Sequence, residues 1–119
     1  MYPQYMERGP RLHVCGPFEI LDAKSSSPIR RLRTRKTEWL CAFLGLNRGR
    51  WQTRELLIAK FWPEDDPATG RRKLRLALHS IRQEIGEALE SEGDLVRLEG
   101  LWVDALDQPP HQLQDFDLL

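Results

Sequence analysis

"GRRKLRLALHSIRQE", residues 70–84, sets four arginines and a lysine among leucines, alanine, isoleucine and a histidine. Leu74, Ala77, Leu78, Ile81 and Ile85 recur at steps of three and four, with Ala88 in line beyond them. That spacing predicts an amphipathic helix with one apolar stripe. Asp66 suits its N-cap and Pro67 its first position. Gly86 weakens its end, so the helix either stops there or frays on through "EALE". At 100° per residue, Arg72, Leu76, His79, Ser80 and Gln83 lie opposite the stripe. Arg75 sits at the edge of that face, and Arg71 and Arg82 flank it. Arginine, glutamine, histidine and an exposed leucine are the side chains that read base edges in a major groove. Arg71, Arg72 and Lys73 stand near the N-terminus, where the helix dipole disfavours cations. That conflict suggests an anionic partner, and a merely solvated basic face is the plainer alternative.

Upstream, Thr34 is a cap for a helix beginning at Arg35, in which Trp39, Leu40, Phe43 and Leu44 recur at helical spacing. "GLNRG" (45–49) ends it, and Trp51-Gln52 reads as a short extended link. Thr53 caps a second helix whose expected buried side is Leu56, Leu57 and Phe61, and Pro63 stops it. Further back, "RLHVC" and "FEIL" flank the turn signal Gly16-Pro17 and read as a hairpin. "IRRL" (29–32) reads as a third strand. Downstream, "LVRLEGLWVDA" (95–105) reads as a hairpin turning at Glu99-Gly100. That register pairs Leu98 with Leu101, Arg97 with Trp102 and Val96 with Val103, with Trp102 stacked on Arg97. Trp39 and Trp62 are expected in the core, with Trp51 partly so. The fold class is therefore α+β: an N-terminal antiparallel sheet, three helices and a C-terminal β-hairpin wing. This is the plan of a winged helix-turn-helix. The domain is placed at 11–105, between a flexible arm at 1–10 and a tail at 106–119.

The 119 residues suit one domain with a modest core. Net charge is zero but unevenly spread. Residues 29–82 hold 14 lysines and arginines against five acids, a net +9, and residues 83–119 hold ten acids and only Arg97, a net −9. A basic middle with an acidic end points to an anionic partner on one face. No apolar run reaches membrane-helix length, and the first ten residues lack signal-peptide order, so the cytoplasm is expected. Cys15 and Cys41 read as small buried thiols in a reducing compartment. The histidines and cysteines show no metal-ligand spacing, so no metal site is expected. "GRRKL" lacks the glycine and the Gly-Lys-Ser/Thr ending of a phosphate loop. His79 and Ser80 are helix neighbours about 100° apart, and no nucleophile–base pair is evident. The chain is therefore expected to be neither an enzyme nor a cofactor carrier.

Taken in order, "RLHVCGPFEI" resembles the strand–turn–strand opening of SARP-type and bacterial transcriptional activator regulators. "RTRKTEWLCAFLGLNRGRWQTRELLIAKFWPEDDP" looks like their first two helices and the following loop. "RRKLRLALHSIRQEIG" is similar to their recognition helix, and "GDLVRLEGLWVDA" to their wing. The resemblance covers about residues 11–105 and implies an OmpR/PhoB-type winged helix. It places Arg71, Arg72, Arg75, His79 and Arg82 on the recognition helix and Arg97 on the wing. Arg35, Lys36 and Arg54 become backbone contacts, and Glu64, Asp65 and Asp66 fall on a loop that can face RNA polymerase. Such domains usually continue into a regulatory module, and residues 106–119 read as its possible start.

The expected function is thus sequence-specific double-stranded DNA binding in a bacterial transcriptional regulator. Base-reading candidates are Arg72, Arg75, Leu76, His79 and Gln83. Backbone candidates are Arg35, Lys36, Arg54, Arg71, Arg82 and Arg97. The free protein is expected to be a monomer that pairs head to tail on direct repeats, with Arg30, Arg31 and Arg48 meeting the acidic end of the next copy. The rival reading is a protein-interaction module whose basic face binds an acidic protein. Structured RNA is a weaker third, and an array of stacking aromatics for single strands is missing.

Overall fold

The apolar periodicities translate into an α+β domain in the computed structural model, which describes residues 10–21 and 32–107. Strands β1 (Arg11–His13) and β2 (Glu19–Leu21) pair antiparallel, with Leu12 opposite Ile20. The helix α1 (Arg35–Leu46) follows, then the two-residue strand β3 (Gln52–Thr53). Helices α2 (Arg54–Phe61) and α3 (Pro67–Ile85) come next. A single 3₁₀ turn (Gly86–Ala88) leads into β4 (Leu89–Glu92) and β5 (Leu95–Leu98). Strand β6 (Trp102–Val103) and the short helix α4 (Asp104–Asp107) close the described chain. The expected third strand at 29–32 and the arm at 1–9 lie outside the described residues, apart from Leu32, which is buried. So do Arg30, Arg31 and residues 108–119 of the tail.

Local chemistry explains the helix starts. The Thr34 hydroxyl accepts from the Thr37 backbone N–H at 3.0 Å, and the Thr53 hydroxyl accepts from Leu56 N–H at 3.1 Å. Asp66 occupies the N-cap position of α3, ahead of Pro67, without a closed cap hydrogen bond. The Thr69 side chain, then the first-turn N–H groups, hold its carboxyl below the ordinary carboxylate range. Gly86 takes φ 59° and ends α3 sharply. Every residue of the expected α3 stripe, Leu74 through Ile85, is buried, and Ala88 joins it. Gly70 is buried where α2 crosses α3, and a Cβ there would meet Ile58 Cγ2 at 2.6 Å. The missing side chain sets that close approach.

The C-terminal hairpin differs from the expected one. It runs β4–β5 about a Gly93-Asp94 turn, pairing Leu89 with Leu98 and Glu92 with Leu95. Gly93 supplies the positive φ, 59°. Glu99-Gly100 is not a hairpin turn; it carries the chain from one sheet to the other. Strand β6 then lies parallel to β1, with Leu12 opposite Val103, so the N-terminal sheet has the order β2-β1-β6. Strand β3 pairs with β5, making the second sheet β3-β5-β4. The shift has a physical reason. Val96 and Leu98 on one sheet, Val103 on the other and Leu101 between them are all fully buried in one core cluster.

Three burial expectations are also corrected. Trp39 is 56% exposed, because the buried stripe of α1 runs through Thr37, Leu40, Cys41, Leu44 and Gly45, opposite position 39. Leu56 is 46% exposed, since Leu57 takes the inward position of α2. Cys15 is exposed in the β1–β2 connection, and its thiol is raised first by lost solvation and then by the Asp104 carboxylate. Cys41 is buried as expected, and burial pushes its thiol up to about 12.

Candidate nucleic-acid interface

Helix α3 presents three sides. Its stripe faces the core. Its outward face carries Arg72, Leu76, His79 and Gln83, all exposed, with Leu76 at 41%. Its third side faces α2 and the hairpin and carries Arg71, Arg75 and Arg82 within about 40° of one another on the wheel. Two recesses run along that third side. One, about 750 Å³, lies between α2 and α3, and Arg54, Arg71, Arg75 and the hairpin-tip residue Asp94 all line it. The other, about 170 Å³, lies between α3 and the hairpin, and Arg54, Arg75, His79, Arg82 and Ser91 line it. Arg54 and Arg75 belong to both.

The pairing of these groups is uneven. Among the described residues the side chains of Arg54, Arg71, Arg72, Arg75 and His79 hold no hydrogen bond or ion pair. Arg82 is anchored, donating to the Leu89 carbonyl at 3.3 Å and to Ser91 Oγ at 3.5 Å. Lys73 is bound to Asp65 at 2.9 Å on the opposite flank. Arg75 therefore turns toward the hairpin side rather than straight outward, away from most of the residues with which it was grouped as base-reading. Arg35 and Lys36 sit at the start of α1. Lys36 and Leu76 line a third recess of about 350 Å³ between α1 and α3.

Arg97 is engaged inside the molecule. Its Nε donates to Glu90 at 2.8 Å, a second guanidinium nitrogen donates to the Gly49 carbonyl at 3.2 Å, and its guanidinium carbon lies over the Trp51 ring, 4.3 Å from the centroid. The expected Arg97–Trp102 stack is absent, since the two residues belong to different sheets. Trp102 is covered by Arg11 at 5.6 Å and by the tilted His13 ring at 5.3 Å. The hairpin tip is acidic, with Glu92 and Asp94 around the turn.

The loop from Glu64 to Asp66 is partly consumed by the fold. Asp65 pairs with Lys73 and Asp66 opens α3, while Glu64 is exposed and unpaired among the described residues. Arg48 is also not available to a neighbouring copy. It donates to both carboxylate oxygens of Asp107 and to the Leu101 carbonyl at 3.1 Å. Sequence reading missed Asp104 as well. Its buried carboxylate accepts from Val14 N–H at 2.9 Å and Cys15 N–H at 3.1 Å, fastening α4 to the β1–β2 connection. The partners are about 90 positions apart, beyond any local signal.

Against models of known families and against curated proteins the chain finds no match. Among the described residues no helix is long and apolar enough to cross a membrane.

Proposed function

We propose that the chain is a sequence-specific double-stranded DNA-binding domain of the winged-helix type, with α3 in the major groove. The observation that carries the reading is the unpaired set Arg54, Arg71, Arg72, Arg75 and His79, gathered on and beside one helix in a chain of zero net charge. Cations left without carboxylates on one surface suit a polyanion, and phosphate neutralisation supplies most of the affinity of such domains. The order α1–β3–α2–α3–β4–β5, with β3 paired onto the hairpin, supports the winged-helix assignment. Arg72, Leu76 and Gln83 then face the base edges. The acidic tip and the engaged Arg97 argue for a wing that packs beside the duplex rather than one that reads the minor groove. The resemblance to regulators of transcription makes Glu64 the residue of its loop open to a polymerase contact.

The reading is tested by selecting bound duplexes from a random pool at near-physiological salt. Enrichment of a motif whose bases respond to Arg72→Ala is expected. A second reading, an interaction module for an acidic protein, draws on the same unpaired cations. It gains if no motif is enriched and random duplex shows no salt-dependent binding.

A further inference from the structure

We propose that the recess between α3 and the hairpin seats a single phosphate group, with Arg75 and His79 serving that phosphate rather than a base. Arg54 at the start of α2, Arg75 and His79 on α3, and Arg82 beside the hairpin converge on a space of about 170 Å³. No carboxylate lines that space, whereas the larger neighbouring recess includes Glu55, Asp65 and Asp94. The smaller recess itself is therefore lined by cations alone, and the acids bordering Arg54 and Arg75 lie on the side of the larger one.

The geometry of Arg82 adds to the case. Its bonds to the Leu89 carbonyl and Ser91 Oγ fix one nitrogen against the hairpin. A guanidinium carries five N–H donors in a rigid fork, so most of them stay free and already oriented. Ser91 adds a hydroxyl, and Val96 forms part of an apolar floor that excludes water from one side. Positioned donors around a half-enclosed space strengthen each charge-assisted hydrogen bond. Arginines with a single serine suit a tetrahedral oxyanion better than a flat base edge, which asks for one bidentate fork.

This assignment deepens the DNA reading, in which the phosphate belongs to the duplex backbone. A free phosphate monoester has the same chemistry, and the experiment separates the two. The full chain is titrated with inorganic phosphate against chloride at matched ionic strength, following the arginine Nε–H and His79 ring signals by NMR. Saturable shifts at Arg54, Arg75, His79 and Arg82 are expected, kept in Arg50→Gln, an exposed arginine between α1 and β3 outside the recess, and lost in Arg75→Gln. Shifts that track ionic strength alone overturn the seat. In parallel, Arg75→Gln is measured on selected and random duplex. Weakening by the same factor on both, roughly tenfold for one charge-assisted contact, is expected. The salt dependence becomes shallower by up to about 0.9 in log–log slope. Loss of discrimination between the two duplexes returns Arg75 to base reading and overturns the seat while leaving DNA binding intact. Saturable phosphate binding with no duplex binding retains the seat, assigns it to a free monoester and removes the DNA reading.

Discussion

Arg75 and Arg48 have the same chemistry and opposite surroundings. Arg75 stands on a flank of α3 with no partner among the described residues. Arg48, in the turn after α1, is two-point bound to Asp107 and closes the corner between α1 and α4. Arg97 and Lys73 resemble Arg48 in having carboxylate partners. The basic middle and acidic end of the sequence are therefore not simply two oppositely charged surfaces. Part of the acidic end fastens the basic middle, as Asp107 holds Arg48, and Arg54, Arg71, Arg72 and Arg75 are left without a partner among the described residues on and beside α3, as are Arg33, Arg35, Lys36 and Arg50 elsewhere. A count of charges along the chain does not separate these uses; the pairing does.

The comparison depends first on how α3 is rotated. Leu78→Ala is expected to destabilise the domain by about 2 to 5 kcal/mol, as for a buried leucine that is 6% exposed here. Leu76→Ala, from the outward face, should leave the melting temperature nearly unchanged. Similar losses for the two variants would mean that the core-facing and outward sides of α3 have been misassigned, and the unpaired set would lose its meaning.

The α3 stripe was legible because a long period-3.6 pattern has few readings. The N-terminal hairpin and both threonine caps were legible for the same reason, since their determinants lie within a few residues. The hairpin failed because two turn signals compete, Gly93-Asp94 and Glu99-Gly100. Leu89 and Glu90, the start of β4, also read as the end of a fraying helix, which the positive φ of Gly86 stops. Choosing between the signals requires knowing that β1 has an edge for β6 to occupy. Trp39 failed because its residue type suggested burial while the wheel position, set by Leu40, Cys41 and Leu44, did not. For the site, the cationic face of α3 was readable. Its division into an outward face and a hairpin-facing flank was not, because it depends on Arg54 and Ser91 arriving from distant elements.

Arg48→Ala should cost about 1.5 to 3 kcal/mol, the range for hydrogen bonds to a charged group. It removes one partner of a largely buried carboxylate, Asp107 being 9% exposed at its side chain and still accepting from Val103 N–H. Chemical denaturation measures it, and duplex affinity corrected for the folded fraction should not change. A large loss of affinity with full stability would put Arg48 among the partner-facing cations and break the comparison at its clearest point. Arg72→Ala is the mirror case. Stability should hold, while discrimination between the selected and a mismatched duplex falls by about 1 to 3 kcal/mol at the base it contacts. Equal weakening on every duplex would move Arg72 to the phosphate group and leave specificity to Leu76 and Gln83.

The smallest effect is expected at Arg97, and it sharpens the comparison most. By sequence it is the one cation of the acidic end, a natural candidate for the DNA backbone. By structure it is a clamp, held by Glu90, the Gly49 carbonyl and the Trp51 face. Glu90 is 40% exposed at its side chain, so solvent screens the ion pair, and such pairs contribute about 0 to 1 kcal/mol. Stacking on Trp51 adds about 0.5 to 1 kcal/mol. Arg97→Ala should therefore lower stability by about 1 kcal/mol and leave the salt dependence of duplex binding unaltered. Arg97→Lys separates the two roles. A lysine keeps the charge that a phosphate would attract but loses the planar fork that spans Glu90 and Gly49 over the Trp51 ring. A clamp predicts that lysine restores little stability and that all three proteins bind duplex with one salt slope. If alanine makes the slope shallower and lysine restores it, Arg97 acts on the partner through its charge, and internal pairing no longer separates the cations that build the fold from those that meet the ligand.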